Sequence, residues 1–134
     1  VDDILVPTSP GELVDKLTIL RLKTENIADA AKLANVRREK DALDATARHH
    51  LPPSPELSAL WEELFHINAD LWRIEDDIRR REAAGDFGPA FVALARAVYV
   101  TNDRRADVKK RINLFLGSAL VEEKSYADYQ ADPE

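Results

Sequence analysis

The chain contains no cysteine, which removes disulfides, thiolate metal centres and cysteine nucleophiles together. Glycine is scarce at 4 residues, while apolar residues make up 45% and charged residues 33%. That is the profile of a helical globular protein. No apolar run approaches the roughly 20 residues of a membrane span. Residues 1–7 lack the basic and apolar pattern of a signal peptide. The chain also lacks an excess of basic residues. Its net charge of −6 argues against a dedicated nucleic-acid binder, which normally shows a basic face. Arg79-Arg80-Arg81 and Lys109-Lys110-Arg111 are local exceptions, and triplets spread around a helix read as solvated faces. The expectation is a soluble, cytoplasmic protein without nucleic-acid or membrane partners, folded as one domain over residues 1–134.

What is present is helical punctuation. After an extended lead-in over residues 1–8, Ser9-Pro10-Gly11-Glu12 reads as a helix start, with Ser9 as N-cap, Pro10 at the first helical position and Glu12 closing a capping box. Leu13, Leu17, Leu20 and Ile27 follow as a core stripe. Leu33, Val36, Leu43 and Ala47 form a second stripe, so the segment is one long bent helix or two helices joined near residues 28–31, with Asp29 as the restart. Pro52-Pro53-Ser54-Pro55 ends it and opens the next. Leu57, Leu60, Leu64, Ile67, Leu71, Ile74 and Ile78 keep a 3-4 rhythm without a miss, flanked by Trp61, Phe65 and Trp72. Gly85-Asp86-Phe87-Gly88-Pro89 makes a turn, and a last helix ends at Gly117. The predicted fold is an all-α antiparallel bundle of three long helices, four if the first breaks near Asp29. Residues 118–134 form a tail, packed in its first half and fraying over residues 131–134.

The last helix carries an anomaly. At about 100° per residue, Asn102, Arg105 and Lys109 fall within about 40° of Val98 on the buried face. Buried polar groups are costly unless partnered, so this stretch needs internal partners or a ligand. The third helix repeats the pattern with Asn68 and Glu75. Counted outward from the turn near Asp86, Asn68, Asn102 and Arg105 come to nearly one level of an antiparallel pair. In the first helix Glu12, Lys16 and Lys23 point toward neighbours. The collected set has four cations, two carboxylates and two amides, a positive excess suited to a small phosphorylated or carboxylated ligand. In that reading Lys16, Lys23, Arg105 and Lys109 hold the anion, Asn68 and Asn102 orient it, and Glu75 or Glu12 is the candidate general base. In the competing reading the same residues form a salt-bridge network that fixes helix register. Trp61, Phe65 and Trp72 then dock a partner, as in a homodimer. A third reading is a chorismate-mutase-like helical enzyme, with cations converging on a dicarboxylate.

Sharper motifs fall away. Glu63-Leu-Phe-His66 has the Glu-x-x-His spacing of di-iron bundles but no second such pair. Glu12-Leu-Val-Asp15 resembles half of the carboxylate set that holds magnesium in helical nucleotide pyrophosphohydrolases, and the matching Glu-x-x-Glu run is missing. No metal or cofactor is expected. No serine or histidine has a triad-like setting.

Gly11-Glu-Leu-Val-Asp-Lys-Leu-Thr-Ile-Leu20, Leu71-Trp-Arg-Ile-Glu-Asp-Asp-Ile-Arg79, Tyr99-Val-Thr-Asn-Asp-Arg-Arg-Ala106 and Leu120-Val-Glu-Glu-Lys-Ser-Tyr126 together resemble a family of small bacterial and phage proteins known as a domain of unknown function. Asn26 departs from that pattern, which favours arginine there. The resemblance implies the helical fold and the choice of residues, and it supplies no reaction. Its association with surface-polysaccharide glycosyltransferase genes points toward a sugar phosphate or nucleotide sugar.

Overall fold

The computed structural model describes residues 1–130 and contains four helices: α1 (Pro10–Asn26), α2 (Ala30–His50), α3 (Pro55–Ala83) and α4 (Pro89–Phe115). Residues 131–134, for which fraying is predicted, lie outside the described residues. The first predicted helix breaks. Ile27 is extended at φ −90°, ψ 126°, and Asp29 restarts the chain by accepting the Lys32 backbone N–H on its side chain. Ser9 and Ser54 cap α1 and α3 in the same manner, each followed by proline. The carboxylate of Glu12 does not serve the capping box; it turns to Lys109 at 2.7 Å.

Helices α3 and α4 end in the same way. Gly85 and Gly117 adopt φ of +66° and +65°, conformations that cost glycine little. Each lets a backbone N–H return to the helix it closes: Asp86 to the Arg81 carbonyl and Ser118 to that of Asn113. This is the Schellman arrangement.

Helix α1 is the centre of the bundle. It packs against all three other helices, whereas the backbone of α2 packs along α1 alone. One core cluster joins Val14 of α1 to Leu57, Leu64 and Ile67 of α3 and to Val108 and Ile112 of α4. A second joins Leu13 and Leu17 to Ala47, with Trp61 bridging both clusters. Phe65 is also engaged within the chain, beneath the Arg21 guanidinium at 3.6 Å from the ring centroid. Burial is concentrated at one end. Between Leu71 on α3 and Thr101 on α4 no side chain is fully buried, so the α3–α4 hairpin projects as a two-helix layer. No helix among the described residues is long and apolar enough to cross a membrane.

Candidate functional site

The polar interior is organised around Asp15, a residue absent from the set read from the sequence. Its side chain is 1% exposed. Arg105 grips it with two parallel hydrogen bonds, Nε to Oδ1 at 2.8 Å and Nη2 to Oδ2. Asn68 spends both amide hydrogens nearby, one on Asp15 Oδ1 and one on Thr18 Oγ1, each at 2.9 Å. Thr18 in turn donates to the Asp15 carbonyl at 2.7 Å. Three helices thus meet on one carboxylate. No buried side-chain polar atom among the described residues lacks a hydrogen-bond partner.

Burial pushes the Asp15 carboxyl up, but hydrogen bonds from Arg105 and Asn68 and the charges of Arg105 and Lys109 outweigh it. The net effect holds it below its ordinary value. The hydrogen bonds to Asp15 raise Arg105, against the pull of its own partial burial. Burial works against the Lys109 ammonium, yet Glu12, Asp15 and Glu122 together raise it. Lys109 lies 2.7 Å from Glu12, 3.4 Å from Glu122 and 3.9 Å from Asp15. Asp15, Arg105 and Lys109 are therefore charged near neutral pH.

The seam between α1 and α4 depends on a close approach at Gly11. A β-carbon there would collide with the Lys109 carbonyl oxygen and stand 2.9 Å from Asn113 Oδ1. That same Oδ1 accepts the Gly11 N–H at 2.7 Å, satisfying one of the free amides at the start of α1.

The expected residues separate into groups. Asn68, Asn102 and Arg105 line one cleft, together with Glu75. Lys109 and Glu12 pair with each other elsewhere on the α1–α4 seam. Lys16 is exposed, and Lys23 is half-buried outside the cleft. The reason is the orientation of α1. Measured from Val14, which is fully buried, Glu12, Lys16 and Lys23 lie within about 20° of the opposite pole at about 100° per residue. Gly11, Thr18 and Leu22 lie within about 80° of Val14 and Asp15 about 100° from it, and all four are buried. Because Asp15 neutralises Arg105 and Glu12 lies against Lys109, the interior holds no surplus of positive charge.

The cleft has a volume of about 340 Å³, within the range of small-molecule sites. Ile19 and Leu22 of α1 and Leu71 and Trp72 of α3 supply apolar walls; Asn68, Asn102 and Arg105 supply polar groups at the base of the hairpin. Glu75, Asp76 and Arg79 complete it toward the hairpin tip, with Arg79 3.4 Å from Glu75. Arg105 is oriented there. Its Nε and Nη2 are occupied by Asp15, while Nη1 reaches Asn102 Oδ1 at 3.4 Å, a long hydrogen bond. Among the described residues no cluster of three or more histidines or carboxylates could hold a metal ion.

Residues 4–134 match the profile of a family of unknown function, DUF6165. The chain belongs to that family. No curated protein and no solved structure matches it. Membership in DUF6165 brings no assigned chemistry to the cleft.

Proposed function

We propose that this DUF6165 chain binds a small organic anion, phosphorylated or carboxylated, in the cleft between α1, α3 and α4. The orientation of Arg105 carries the reading: a buried carboxylate holds one edge of the guanidinium and leaves Nη1 at the cleft wall. Guanidinium groups suit carboxylate and phosphate oxygens because their N–H donors lie in a fixed plane. An incoming oxygen would take the long Nη1 contact now made to Asn102 and the Asn102 amide beside it. Leu71 and Trp72 offer the apolar surface for the body of the ligand. Since Asp15 compensates Arg105, the affinity expected is modest, in the micromolar to millimolar range typical of sites with few charge-assisted contacts.

Tryptophan fluorescence reports on the cleft through Trp72. Titrations with inorganic phosphate, glycerol 3-phosphate, glucose 1-phosphate, UDP-glucose and succinate should give a saturable change for at least one compound. Asn102→Ala should weaken that compound about tenfold, the worth of one hydrogen bond to a charged group. Absence of saturation with every compound, or binding by Asn102→Ala as tight as that of wild type, overturns the assignment.

A further inference from the structure

The hairpin tip is short of partners. Trp72, Ile74, Ile78, Phe91, Leu94 and Val98 are only half-buried, and Phe87 and Val92 are 56% and 51% exposed. The isoleucine rhythm of α3 runs on to Ile78, beyond the part of α3 that α1 buries. Two helices cannot enclose an apolar stripe this wide by themselves.

The charges around that stripe indicate its occupant. Glu75, Asp76 and Asp77 precede Ile78, and Arg79, Arg80 and Arg81 follow it. The sign of the charge therefore inverts about Ile78. Over residues 72–100 five basic residues (Arg73, Arg79, Arg80, Arg81, Arg96) balance five acidic ones (Glu75, Asp76, Asp77, Glu82, Asp86), although the whole chain is at −6. Two such tips meet without net repulsion. On the cleft side of α3 the acidic Glu75 and Asp76 precede the basic Arg79, and a face whose charge inverts along the helix is complementary to itself after a two-fold rotation, as an isologous interface requires. Glu75 and Arg79 lie one turn apart on the cleft side of α3.

We propose that a second copy of the chain docks antiparallel across this turn, setting Glu75 against the partner's Arg79 and Arg79 against the partner's Glu75. The existing pairs are exposed and local, Arg79 to Glu75 and Arg80 to Asp77, so exchanging them between copies costs little. Docking covers Trp72 and the half-buried isoleucines and adds a wall to the cleft on the hairpin side. The cleft is then completed by the dimer. Docking itself does not depend on the ligand assignment; only its effect on the cleft rests on that reading.

Sedimentation velocity of the full chain tests the geometry. Wild type should be dimeric at tens of micromolar. Glu75→Arg or Arg79→Glu alone should raise the dissociation constant at least tenfold by placing like charges opposite each other. The double variant Glu75→Arg/Arg79→Glu should restore the dimer, and an equimolar mixture of the two single variants should form heterodimers. Circular dichroism should show each variant folded. A wild type that stays monomeric to millimolar concentration, or a dimer indifferent to all three variants, overturns the proposal. A dimer that obeys the charge rules while no anion binds leaves the docking intact and removes only the ligand reading.

Discussion

Asp15 and Arg105, 90 positions apart in the chain, share two hydrogen bonds across the α1–α4 seam, with the carboxylate almost wholly buried. The pair serves both stability and the cleft, because the contact that neutralises Asp15 also fixes the direction of Arg105.

Stability should respond asymmetrically to truncation of the pair. Arg105→Ala leaves a buried carboxylate with only Asn68 and the more distant Lys109, and should cost about 3–5 kcal/mol. Asp15→Ala leaves a guanidinium that is 29% exposed and can still reach water, so the loss should be smaller. Replacing both by apolar residues should recover much of the deficit. Urea denaturation of the three variants measures this; equal losses for the two single changes would contradict the unequal burial.

Acid should act through the same carboxylate. The folded-state value of Asp15 is depressed, so between it and the unfolded value of about 3.9 the unfolded chain binds more protons and stability rises with pH. The contribution is fully present above about pH 4 and is lost as pH falls through the folded value. Denaturation midpoints of wild type and Asp15→Asn, compared from pH 7 downward, should differ by a constant until about pH 4 and then converge. Continued parallel behaviour below that point would place the acid sensitivity elsewhere.

The close approach at Gly11 makes a third prediction. In Gly11→Ala the new methyl must push the α4 backbone at Lys109 or the Asn113 amide, which already holds the Gly11 N–H. A clash against backbone is relieved only by moving a helix, at about 1–3 kcal/mol or more. Asn113→Ala should cost about 1–3 kcal/mol by stranding that N–H. The double variant should lose less than the sum, since both act on one contact. Additive losses in a double-mutant cycle would show that the two residues are not coupled.

The elements and their ends could be read from the sequence because they depend on local chemistry. Ser9-Pro10, Ser54-Pro55, Asp29 and Gly117 act on backbone groups within a few residues, and all four mark helix ends in the structure. The polar faces of α3 and α4 were legible because each helix carries one clear apolar stripe against which Asn68, Asn102 and Arg105 stand out. Helix α1 was not legible in this way. It has neighbours on three sides, so its apolar residues spread around most of the circumference and give no single axis from which to measure. An axis drawn through its leucines turns Lys16 and Lys23 inward and leaves out Asp15 and Thr18. Their signal was present in the arc of Gly11, Val14, Thr18 and Leu22, small or apolar residues on the side that receives another helix.

By itself, then, the order of residues determined where each rod starts and stops and that the rods are amphipathic, since caps, turns and periodicity act over one or two turns of backbone. Which carboxylate meets Arg105, and where an open cleft remains, was decided by how α1 is rotated between α3 and α4. That rotation sets Asp15 against Arg105 and takes Val14 and Leu22 out of water, an arrangement among distant groups that no local stretch of sequence contains.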